Sequence, residues 1–376
     1  MGVASSQTEA RPTRLKARLC EQCERLPLAP AGGGTLYLLP PLASTRLRLE
    51  GVLKQCGVSP VETHPGILGV PIVPGLLERF AVALRTMLSP LELRDTRSLL
   101  TPGGAEPGIP EFMRSQSLSK LLALAGGEWL LELLRERRME MHFQPIVHCD
   151  DPRRLFGHEC LLRARSREGT LIPPADLFRT ATEADILYHL DRAARLLAVR
   201  EARRHDLSGL IFINFCPSAI YNAANCLRTT VQAVEAAGIP PEQVVFEVVE
   251  SERVPDVAHL VSILQTYRDA GFRIALDDLG AGFSSLDLLG KLRPDFIKLD
   301  RALLQAVESD RFKATIAQKL LEAARALDIA TVVEGIEHPG QWEWARDHGA
   351  TYAQGFLFAP PASPPPVPRA VGTPAM

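Results

Sequence analysis

Short apolar runs alternate with longer amphipathic stretches over most of the chain after residue 138. The runs that predict strands are 139–147, 157–164, 210–215, 243–249, 272–277, 295–299, 330–334 and 351–354. The stretches with apolar residues at helical spacing include 184–205, 256–270 and 302–327. Regular alternation over roughly 220 residues predicts a closed, parallel (β/α)₈ barrel of the TIM type, with a doubly wound open sheet as the alternative.

A smaller unit of mixed helix and strand character precedes the predicted barrel. Its strand-like runs, 35–39 and 66–72, are each followed by a helix-like run, at 45–55 and 75–88 respectively. Because the barrel is complete without this unit, we expect a small regulatory α/β domain here. The sequence does not identify what this domain senses.

Proline, glycine and leucine content marks the predicted domain boundaries. Prolines and glycines crowd the segment 101–110, which predicts a linker. The leucine-rich stretch 117–138 predicts a lead-in helix with a break at Gly126-Gly127. The chain then divides into an N-terminal regulatory α/β domain at 1–100, a linker at 101–118, the barrel with its lead-in helix at 119–362 and a proline-rich tail at 363–376.

Polar side chains stand at or near the ends of the predicted barrel strands. They are Glu159, Asn214, Glu247, Glu250, Asp277, Asp278, Lys298, Glu334 and Gln354. A barrel brings the carboxyl ends of its parallel strands to one face, so these side chains are expected to meet there. An open sheet would concentrate such residues at its switch point instead, and the barrel is therefore preferred.

The oxygen-rich part of this set predicts a site for hard divalent cations. Mg²⁺ and Mn²⁺ prefer the oxygen ligands that Glu159, Asn214, Glu247, Asp277 and Asp278 supply. Because residues 277 and 278 are both aspartates, one carboxylate of the pair can bridge two metal ions. The other carboxylate can then bind the second of these ions. Two such ions suit phosphodiester hydrolysis, because they stabilise the attacking and the leaving oxygen together.

Three further residues fit the same chemistry. Lys298 and Glu334 would position the attacking water or take its proton. The planar guanidinium of Arg163 suits a phosphate group. Lys298 lies on an apolar strand, and a buried lysine needs a negatively charged partner. Asp300 is one candidate partner, but it could instead cap the helix that starts near residue 302.

The net charge of the 376-residue chain is close to neutral, at −2. Such a chain is not expected to bind nucleic-acid polymers through their phosphates. The 7 cysteines are an odd number at scattered positions, which argues against a disulfide framework and favours a reducing, cytoplasmic setting. No apolar run reaches the roughly 18 residues that a membrane span requires, so no membrane partner is expected.

A series of short motifs runs through the predicted barrel. They are Phe143-Gln144-Pro145-Ile146-Val147, Glu159-Cys160-Leu161-Leu162-Arg163, Ile213-Asn214-Phe215, Phe246-Glu247-Val248-Val249-Glu250, Leu276-Asp277-Asp278-Leu279-Gly280, Phe296-Ile297-Lys298-Leu299-Asp300, Val333-Glu334-Gly335 and Gln354-Gly355-Phe356. In this order the motifs resemble EAL domains, the bacterial cyclic di-GMP phosphodiesterases. The family's name motif is Glu-Ala-Leu, and Cys160 stands where alanine is usual.

The resemblance implies hydrolysis of one phosphodiester bond of cyclic di-GMP to linear pGpG with Mg²⁺ or Mn²⁺, and homodimers formed through the barrel. The implied metal ligands are Glu159, Asn214, Glu247 and Asp277 for the first ion, and Asp277 and Asp278 for the second. The implied catalytic residues besides Glu159 are Lys298 and Glu334, which activate or hold the water, and Glu250, which anchors the loop 279–285. The implied substrate contacts are Gln144, Leu161, Arg163 and Gln354.

Departures from the family pattern lie beside the implied site rather than in it. Val249 replaces a usual threonine, and Leu279 and Ala281 replace the usual phenylalanine and threonine of the loop. Because these positions bear on loop control, a catalytically weak or inactive cyclic di-GMP receptor is the alternative hypothesis. The pair Asp277-Asp278 could also cap a following helix.

The pair Cys20 and Cys23 invites a zinc hypothesis. Together with Cys56 and His64 it offers four ligands. Their spacing matches no established zinc pattern, so we do not predict a metal there.

Overall fold

The structure is a computed structural model, and it describes residues 26–27, 33–73, 75–102, 107–220, 226–249, 256–280 and 285–369. In this part the strands are β1 (Gly34–Leu39), β2 (Val61–His64), β3 (Ile67–Ile72), β4 (Arg97–Pro102), β5 (Gln116–Ser117), β6 (Met139–His148), β7 (Leu155–Arg165), β8 (Leu171–Ile172), β9 (Leu210–Asn214), β10 (Val244–Val249), β11 (Arg273–Leu279), β12 (Phe296–Leu299), β13 (Ala330–Val333) and β14 (Tyr352–Gln354).

The α-helices of the described part lie between these strands. They are α1 (Ala43–Gln55), α2 (Leu76–Met87), α3 (Pro90–Asp95), α4 (Ile109–Met113), α5 (Leu118–Gly126), α6 (Glu128–Glu136), α7 (Pro174–Glu183), α8 (Leu187–Arg204), α9 (Arg228–Ala237), α10 (Val257–Asp269), α11 (Ser285–Leu292), α12 (Arg301–Leu304), α13 (Arg311–Ala326) and α14 (Pro339–Asp347). Across the described ranges, no helix combines the length and the apolar character that crossing a membrane requires.

Strands β1–β5 form one antiparallel sheet in the order β2-β3-β1-β4-β5. Successive side chains of a strand point to opposite faces, so Leu36 and Leu38 share one face of β1. They are buried against helices α1 and α2 in a common core with Phe80. The strand-like runs 35–39 and 66–72 of the sequence therefore are strands, and β2, β4 and β5 are strands that the apolar pattern missed.

Part of the predicted linker 101–118 belongs to this first sheet. Strand β4 continues to Pro102, and β5 pairs with it antiparallel, Arg97 opposite Ser117. The backbone N–H of Leu118 then donates to the carbonyl of Thr96 at 2.8 Å. Backbone pairing with β4 thus fixes the last residues of the predicted linker before α5 begins.

Helix α5 is shared by two hydrophobic cores. Leu118, Leu121 and Leu122 lie in the core of the first sheet, whereas Ala123 and Leu124 lie in the large core around the barrel. The predicted break follows at Gly127, where a Cβ would stand 3.1 Å from the carbonyl oxygen of Ala123. Only a residue without a side chain fits this close turn into α6 without a shift. An ion pair between Lys120 and Asp185 adds a contact across the same boundary.

The barrel closes through the strand order β6-β14-β13-β12-β11-β10-β9-β7 with a final pairing of β7 to β6. Strands β7 and β9 to β14 run parallel to one another, but β6 is antiparallel to both of its neighbours, β7 and β14. The predicted (β/α)₈ barrel is therefore confirmed, and the prediction that every strand is parallel is wrong. The connection between β6 and β7 is too short for a crossover and can only join antiparallel strands.

The interior of the barrel changes from apolar to polar along its strands. Ile146, Phe212, Val245, Ala275, Phe296 and Val332 form an apolar cluster of their own. Two residues further along each parallel strand stand Asn214, Glu247, Asp277, Lys298 and Glu334. Because residues i and i+2 share a face of a strand, the polar residues line the same interior at its carboxyl end.

The long helix predicted at 302–327 is divided in the structure. Helix α12 ends at Leu304, and α13 begins at Arg311. Asp310 caps α13 by accepting backbone N–H groups from Phe312 and Lys313 at 2.9 and 3.2 Å. A short acidic side chain in this position favours a new helix start over a continuous helix.

Candidate functional site

Lys298 lies at the centre of the polar end of the barrel. Its Nζ is 2.7 Å from Glu247 Oε1, 2.7 Å from Glu334 Oε1, 3.3 Å from Asp277 Oδ1 and 3.4 Å from Glu159 Oε2. The ammonium is fully buried, so it stays charged only because these carboxylates surround it. Four acidic residues that are far apart in sequence thus meet around one cation.

Asp300 does not partner Lys298. Its carboxylate accepts the backbone N–H of Ala302 at 2.8 Å and caps α12. Lys298 faces the barrel interior, and Asp300 stands two residues later at the end of the strand, where the chain already turns into the helix. Of the two roles that the sequence left open for Asp300, the capping role is the one in the structure.

Two amide side chains hold Glu159 in place. Asn214 Nδ2 donates to Glu159 Oε1 at 3.0 Å, and Gln354 Nε2 donates to Glu159 Oε2 at 2.6 Å. The same Gln354 amide donates to Gln144 Oε1 at 3.0 Å. Gln144, Glu159 and Gln354 are all buried, and the hydrogen bonds fix the direction in which the Glu159 carboxylate points.

The surroundings separate the pKa of Glu159 from those of its neighbours. Burial by itself would raise the pKa of Glu159, but Lys298 and the amides of Gln354 and Asn214 hold it below its ordinary value. Burial and the repulsion of other carboxylates raise the pKa of Glu247 and Glu334 well above the ordinary value. The site therefore has one carboxylate kept ionised by its donors and others that need a cation to ionise fully.

Asp277 and Asp278 both face this site because strand β11 contains a bulge. Its pairing with β12 goes from Leu276 opposite Ile297 directly to Leu279 opposite Leu299, so two residues of β11 face one of β12. Asp278 has φ 58°, a left-handed conformation that aspartate tolerates better than most residues. The extra residue brings two consecutive carboxylates to one side of the strand.

Asp278 titrates differently from an exposed aspartate. Burial and the nearby charges of Asp277 and Asp300 raise the pKa of Asp278 to about 6. Its backbone N–H donates to Asp277 Oδ1 at 2.9 Å. Both carboxylates lie among other acidic side chains. Residues 281–284, which lead into the following helix, lie outside the described residues, so the predicted capping role of the pair stays a prediction.

The geometry of the acidic side chains fits divalent cations. Oxygen atoms of Glu159, Glu247 and Asp277 lie within 4.8 Å of one another, and so do those of Asp277, Asp278 and Glu334. Both oxygens of Glu247 are buried and accept no hydrogen bond of normal geometry from the described residues, although Lys298 Nζ is 2.7 Å from one of them. Buried carboxylate oxygens that lack hydrogen bonds are suited to bind a metal ion.

The charge of the site also matches two divalent ions. The five carboxylates, when ionised, and the single ammonium of Lys298 leave four negative charges in a buried space. Such an excess is costly in a medium of low dielectric constant. Bound divalent cations would offset it.

A cavity of about 300 Å³ opens from this cluster at the mouth of the barrel. Besides the acidic residues and Leu161, its walls include Arg301, Glu337 and Phe356, which are not among the predicted site residues. Phe356 is 58% exposed and Arg301 is exposed too, so both form the rim. Phe356 follows the predicted substrate contact Gln354 by two residues. An exposed aromatic residue at this position is the feature that could have identified Phe356 as part of the site.

Arg163 lies in a second, more apolar cavity beside the first. This cavity has a volume of about 310 Å³ and is lined by Leu161, Arg163 and Asn214, among others. Arg163 donates to the carbonyl of Leu162 at 2.8 Å, and burial lowers the pKa of its guanidinium. Leu161 borders both cavities, so the structure brings the predicted substrate contacts together around Leu161.

A buried ion pair behind Asn214 was missed from the sequence. Asp191 and Arg195 on α8 are almost fully buried and pair at 2.7 Å. The other carboxylate oxygen of Asp191 accepts the backbone N–H of Cys216 at 2.9 Å, just after Asn214. The i, i+4 spacing of aspartate and arginine on an otherwise apolar helix face is the pattern that could have indicated this pair.

Several predicted residues cannot be placed. Glu250, Ala281 and the pair Cys20 and Cys23 lie outside the described residues, as does the side chain of Val249. Leu279 is described and is fully buried. Cys160 is buried in the core between the barrel strands and the helices, where burial raises the pKa of its thiol.

The family model of the EAL domain matches residues 128–361, which is more than half of the chain. The chain belongs to the EAL domain family. The EAL match begins at α6 and includes the whole barrel together with every site residue described above. The first sheet and all of α5 precede it.

Two curated EAL relatives illustrate the similarity. The chain is 29% identical over 238 residues to the cyclic di-GMP phosphodiesterase NbdA of Pseudomonas aeruginosa. This match covers 62% of this chain and 30% of NbdA. The chain is 28% identical over 220 residues to the blue light- and temperature-regulated antirepressor BluF of Escherichia coli. This match covers 58% of this chain and 53% of BluF. The match thus spans about a third to a half of these relatives.

A solved EAL structure has the same fold. The standalone EAL protein of Vibrio cholerae O395, in its c-di-GMP-bound form, is 32% identical with a TM-score of 0.55. The match covers 61% of this chain and 95% of that protein. The similarity therefore concerns the EAL barrel and not the first sheet.

Proposed function

We propose that this chain hydrolyses one phosphodiester bond of cyclic di-GMP and releases linear pGpG. The observation that carries the proposal is the ring of carboxylates around Lys298, whose excess negative charge and buried, unsatisfied oxygens suit a pair of divalent cations. The name of NbdA and the ligand of the Vibrio EAL protein support cyclic di-GMP as the substrate.

We assign binding of Mg²⁺ or Mn²⁺ to the oxygen donors of the barrel mouth. The assigned ligands are Glu159, Asn214, Glu247, Asp277 and Asp278. When bound, such cations lower the pKa of a coordinated water and stabilise charge on the attacking and leaving oxygens. The hydrogen bonds that Glu159 accepts keep its carboxylate ionised and correctly directed for this role.

The remaining polar residues are assigned to water and substrate. The water oxygen bonds to phosphorus while the bond from phosphorus to the 3′ oxygen breaks, which leaves a 5′-phosphate and a free 3′-hydroxyl. Glu334 accepts a proton of the water, the leaving 3′ oxygen takes up a proton from solvent, and Lys298, 2.7 Å from Glu334, balances the negative charge. The assigned substrate contacts are Gln144, Leu161, Arg163 and Gln354. Glu250 keeps its assignment as the anchor of the loop 279–285.

An assay of purified protein tests the proposal. Cyclic di-GMP is incubated with the protein and Mg²⁺ or Mn²⁺, and the products are separated by chromatography. We expect pGpG from the natural sequence and none from Glu159→Ala. The matched control Glu343→Gln changes an exposed glutamate of α14 and should keep full turnover. Equal turnover of Glu159→Ala and the control would mean that the site is misplaced.

A second candidate function is a cyclic di-GMP receptor without turnover. It is favoured by the similarity to BluF, which is named an antirepressor, and by Leu279 in place of the family's phenylalanine beside the acidic pair. The same preparation distinguishes the candidates when binding of cyclic di-GMP is measured by calorimetry with and without Mg²⁺. Binding without any pGpG would support the receptor and contradict hydrolysis.

Assembly and location stay predictions. A homodimer and a cytoplasmic setting are expected from the family resemblance and from the scattered cysteines, respectively. Sedimentation of the full chain with and without cyclic di-GMP would test the dimer. A single monomeric species at micromolar concentrations in both conditions would contradict it.

A further inference from the structure

The first sheet has a second face, opposite the one that helices α1 and α2 cover. Leu36 and Leu38 point to the helices, so Tyr37 and Leu39 of β1 point to the opposite face. Tyr37 is flanked there by Gly69 of β3 and Leu99 of β4. This face is therefore apolar and aromatic at its centre.

Helix α4 lies over this face and leaves a cavity beneath it. Phe112 of α4 meets the ring of Tyr37 edge-on, with 6.1 Å between the ring centroids. The cavity between the sheet and the helix has a volume of about 380 Å³ and is lined mainly by apolar side chains. Leu39 and Met113 are 44% and 79% exposed at its margin, so the cavity is open to solvent. Its volume is within the range of small-molecule sites.

One cation belongs to the wall of this cavity. Arg97 stands opposite Leu39 in the pairing of β1 with β4, and its Nε donates to Ser115 Oγ at 3.2 Å. Its Nη2 also donates to Ser115, while Nη1 has no partner among the described residues. Arg97 forms no ion pair with any described carboxylate, unlike Arg46, Arg48 and Arg94 of the same unit.

We propose that this cavity binds a small aromatic monocarboxylate. A flat ring fits against Tyr37 and Phe112, which meet edge to face and together line the cavity. A single carboxylate matches the single guanidinium of Arg97, which has donors left for it. The other lining side chains carry no charge, so a second acidic group would have no partner in the cavity.

The position of the cavity connects it to the rest of the molecule. Ser115, the partner of Arg97, stands two residues before Ser117, whose hydroxyl accepts the backbone N–H of Lys120 and caps α5. Helix α5 is the element shared between the core of the first sheet and the core of the barrel. A bound carboxylate would thus contact the chain segment that leads into this shared helix.

Calorimetry of the full chain with two probes tests the proposal. The probes are 2-naphthoate and its uncharged analogue 2-naphthamide, which have the same ring and nearly the same shape. We expect binding of one 2-naphthoate per chain and at least tenfold weaker binding of the amide, because only the carboxylate pairs with Arg97. Equal affinity for both probes, or no binding of 2-naphthoate at millimolar concentrations, would overturn the proposal.

Variants locate the binding. Arg97→Gln should weaken 2-naphthoate binding at least tenfold, whereas Arg85→Gln, which removes an exposed arginine of α2, should not change it. Leu39→Trp fills the mouth of the cavity from an exposed position and should block binding without altering the core. Binding retained in both Arg97→Gln and Leu39→Trp would refute the site. A loss in Arg163→Gln instead would place the probe in the barrel.

Discussion

At the scale of single residues, the site depends on one buried ammonium among carboxylates. Lys298 lies within 3.4 Å of four acidic side chains. These carboxylates raise the pKa of Lys298 despite its burial, and it in turn limits the repulsion among them. Each partner is therefore stable in the interior only while the others are present.

Replacing Lys298 by methionine should lower the stability of the metal-free protein. The substitution leaves buried carboxylates without a cation, which typically costs about 3–5 kcal/mol. Urea unfolding in the presence of EDTA would measure the change. The control Lys319→Met removes an exposed lysine that pairs with Glu322, and should change the unfolding free energy by less than about 1 kcal/mol. Equal effects of the two substitutions would contradict the role given to Lys298.

His158 gives the stability of the protein a dependence on pH. Burial lowers the pKa of His158 to about 4, and its Nδ1 has no hydrogen-bond partner in the described part of the chain. The unfolded chain, with a pKa near 6.5, then binds a proton that the folded protein does not, so stability falls as the pH falls from about 6.5 toward 4.

The size of this effect follows from the two pKa values. Between pH 7.5 and pH 5 the histidine should account for a loss of about 2 kcal/mol of unfolding free energy. Urea unfolding of the natural sequence and of His158→Gln at both pH values isolates the contribution of His158, since other groups titrate alike in the two proteins. The same pH dependence in both would show that His158 does not take part.

At the scale of elements, strand periodicity places the site and a bulge completes it. Polar residues follow interior apolar residues by two positions on β9 to β13, which brings them to one end of the barrel. The bulge in β11 then adds Asp278 to the same side as Asp277. Helix α5 lies between the first sheet and the barrel, and its side chains pack in the hydrophobic cores of both.

Leu122→Ala should reveal that α5 joins the two cores. Leu122 is fully buried in the core of the first sheet, and its truncation should cost about 2–5 kcal/mol. All 3 tryptophans lie from α6 onward, so their fluorescence reports on the barrel. We expect the midpoint of urea unfolding followed by this fluorescence to fall.

The control for this prediction is Leu42→Ala, which truncates a leucine that is 62% exposed. Its midpoint should stay close to that of the natural sequence. If Leu122→Ala lowers the helical signal in circular dichroism but leaves the fluorescence midpoint unchanged, the two units unfold independently. That result would contradict the coupling through α5.

At the scale of the whole molecule, an almost neutral chain concentrates negative charge in one place. The net charge is −2, yet the barrel mouth holds four uncompensated negative charges when its carboxylates are ionised. These carboxylates lie at one end of a closed barrel, where strand pairing keeps them from moving apart. Stability should therefore respond to divalent cations more than to ionic strength alone.

Addition of Mn²⁺ or Mg²⁺ should raise the melting temperature. At about 100 times the dissociation constant a bound ion contributes about 2.7 kcal/mol, which corresponds to several degrees for a chain of this size. Differential scanning fluorimetry with sodium chloride at matched ionic strength measures the specific part. Glu247→Gln should reduce the shift and Glu343→Gln should not. An unchanged melting temperature with both ions would argue against the metal site.

Local patterns along the chain were enough to predict the barrel and most residues of the candidate site. Alternation with a period of two is local, and it requires Glu247 to face the same side as Val245 and Lys298 the same side as Phe296. Closing the sheet then brings these positions together whatever the details of the loops. The EAL resemblance named the same residues from their order along the chain, and the family match supports that order.

How these residues meet depends on contacts that form when the chain folds. Three features depend on pairings between strands that are distant in sequence: the closure of β14 onto β6, the bulge that turns Asp278 inward, and the four carboxylates that partner Lys298 instead of Asp300. The cavity beside Arg97 likewise arises only where β1, β3, β4 and the short helix α4 come together. Local patterns fix which way a side chain points from its own strand, but its neighbours across the barrel are set by register and closure, which the chain acquires only on folding.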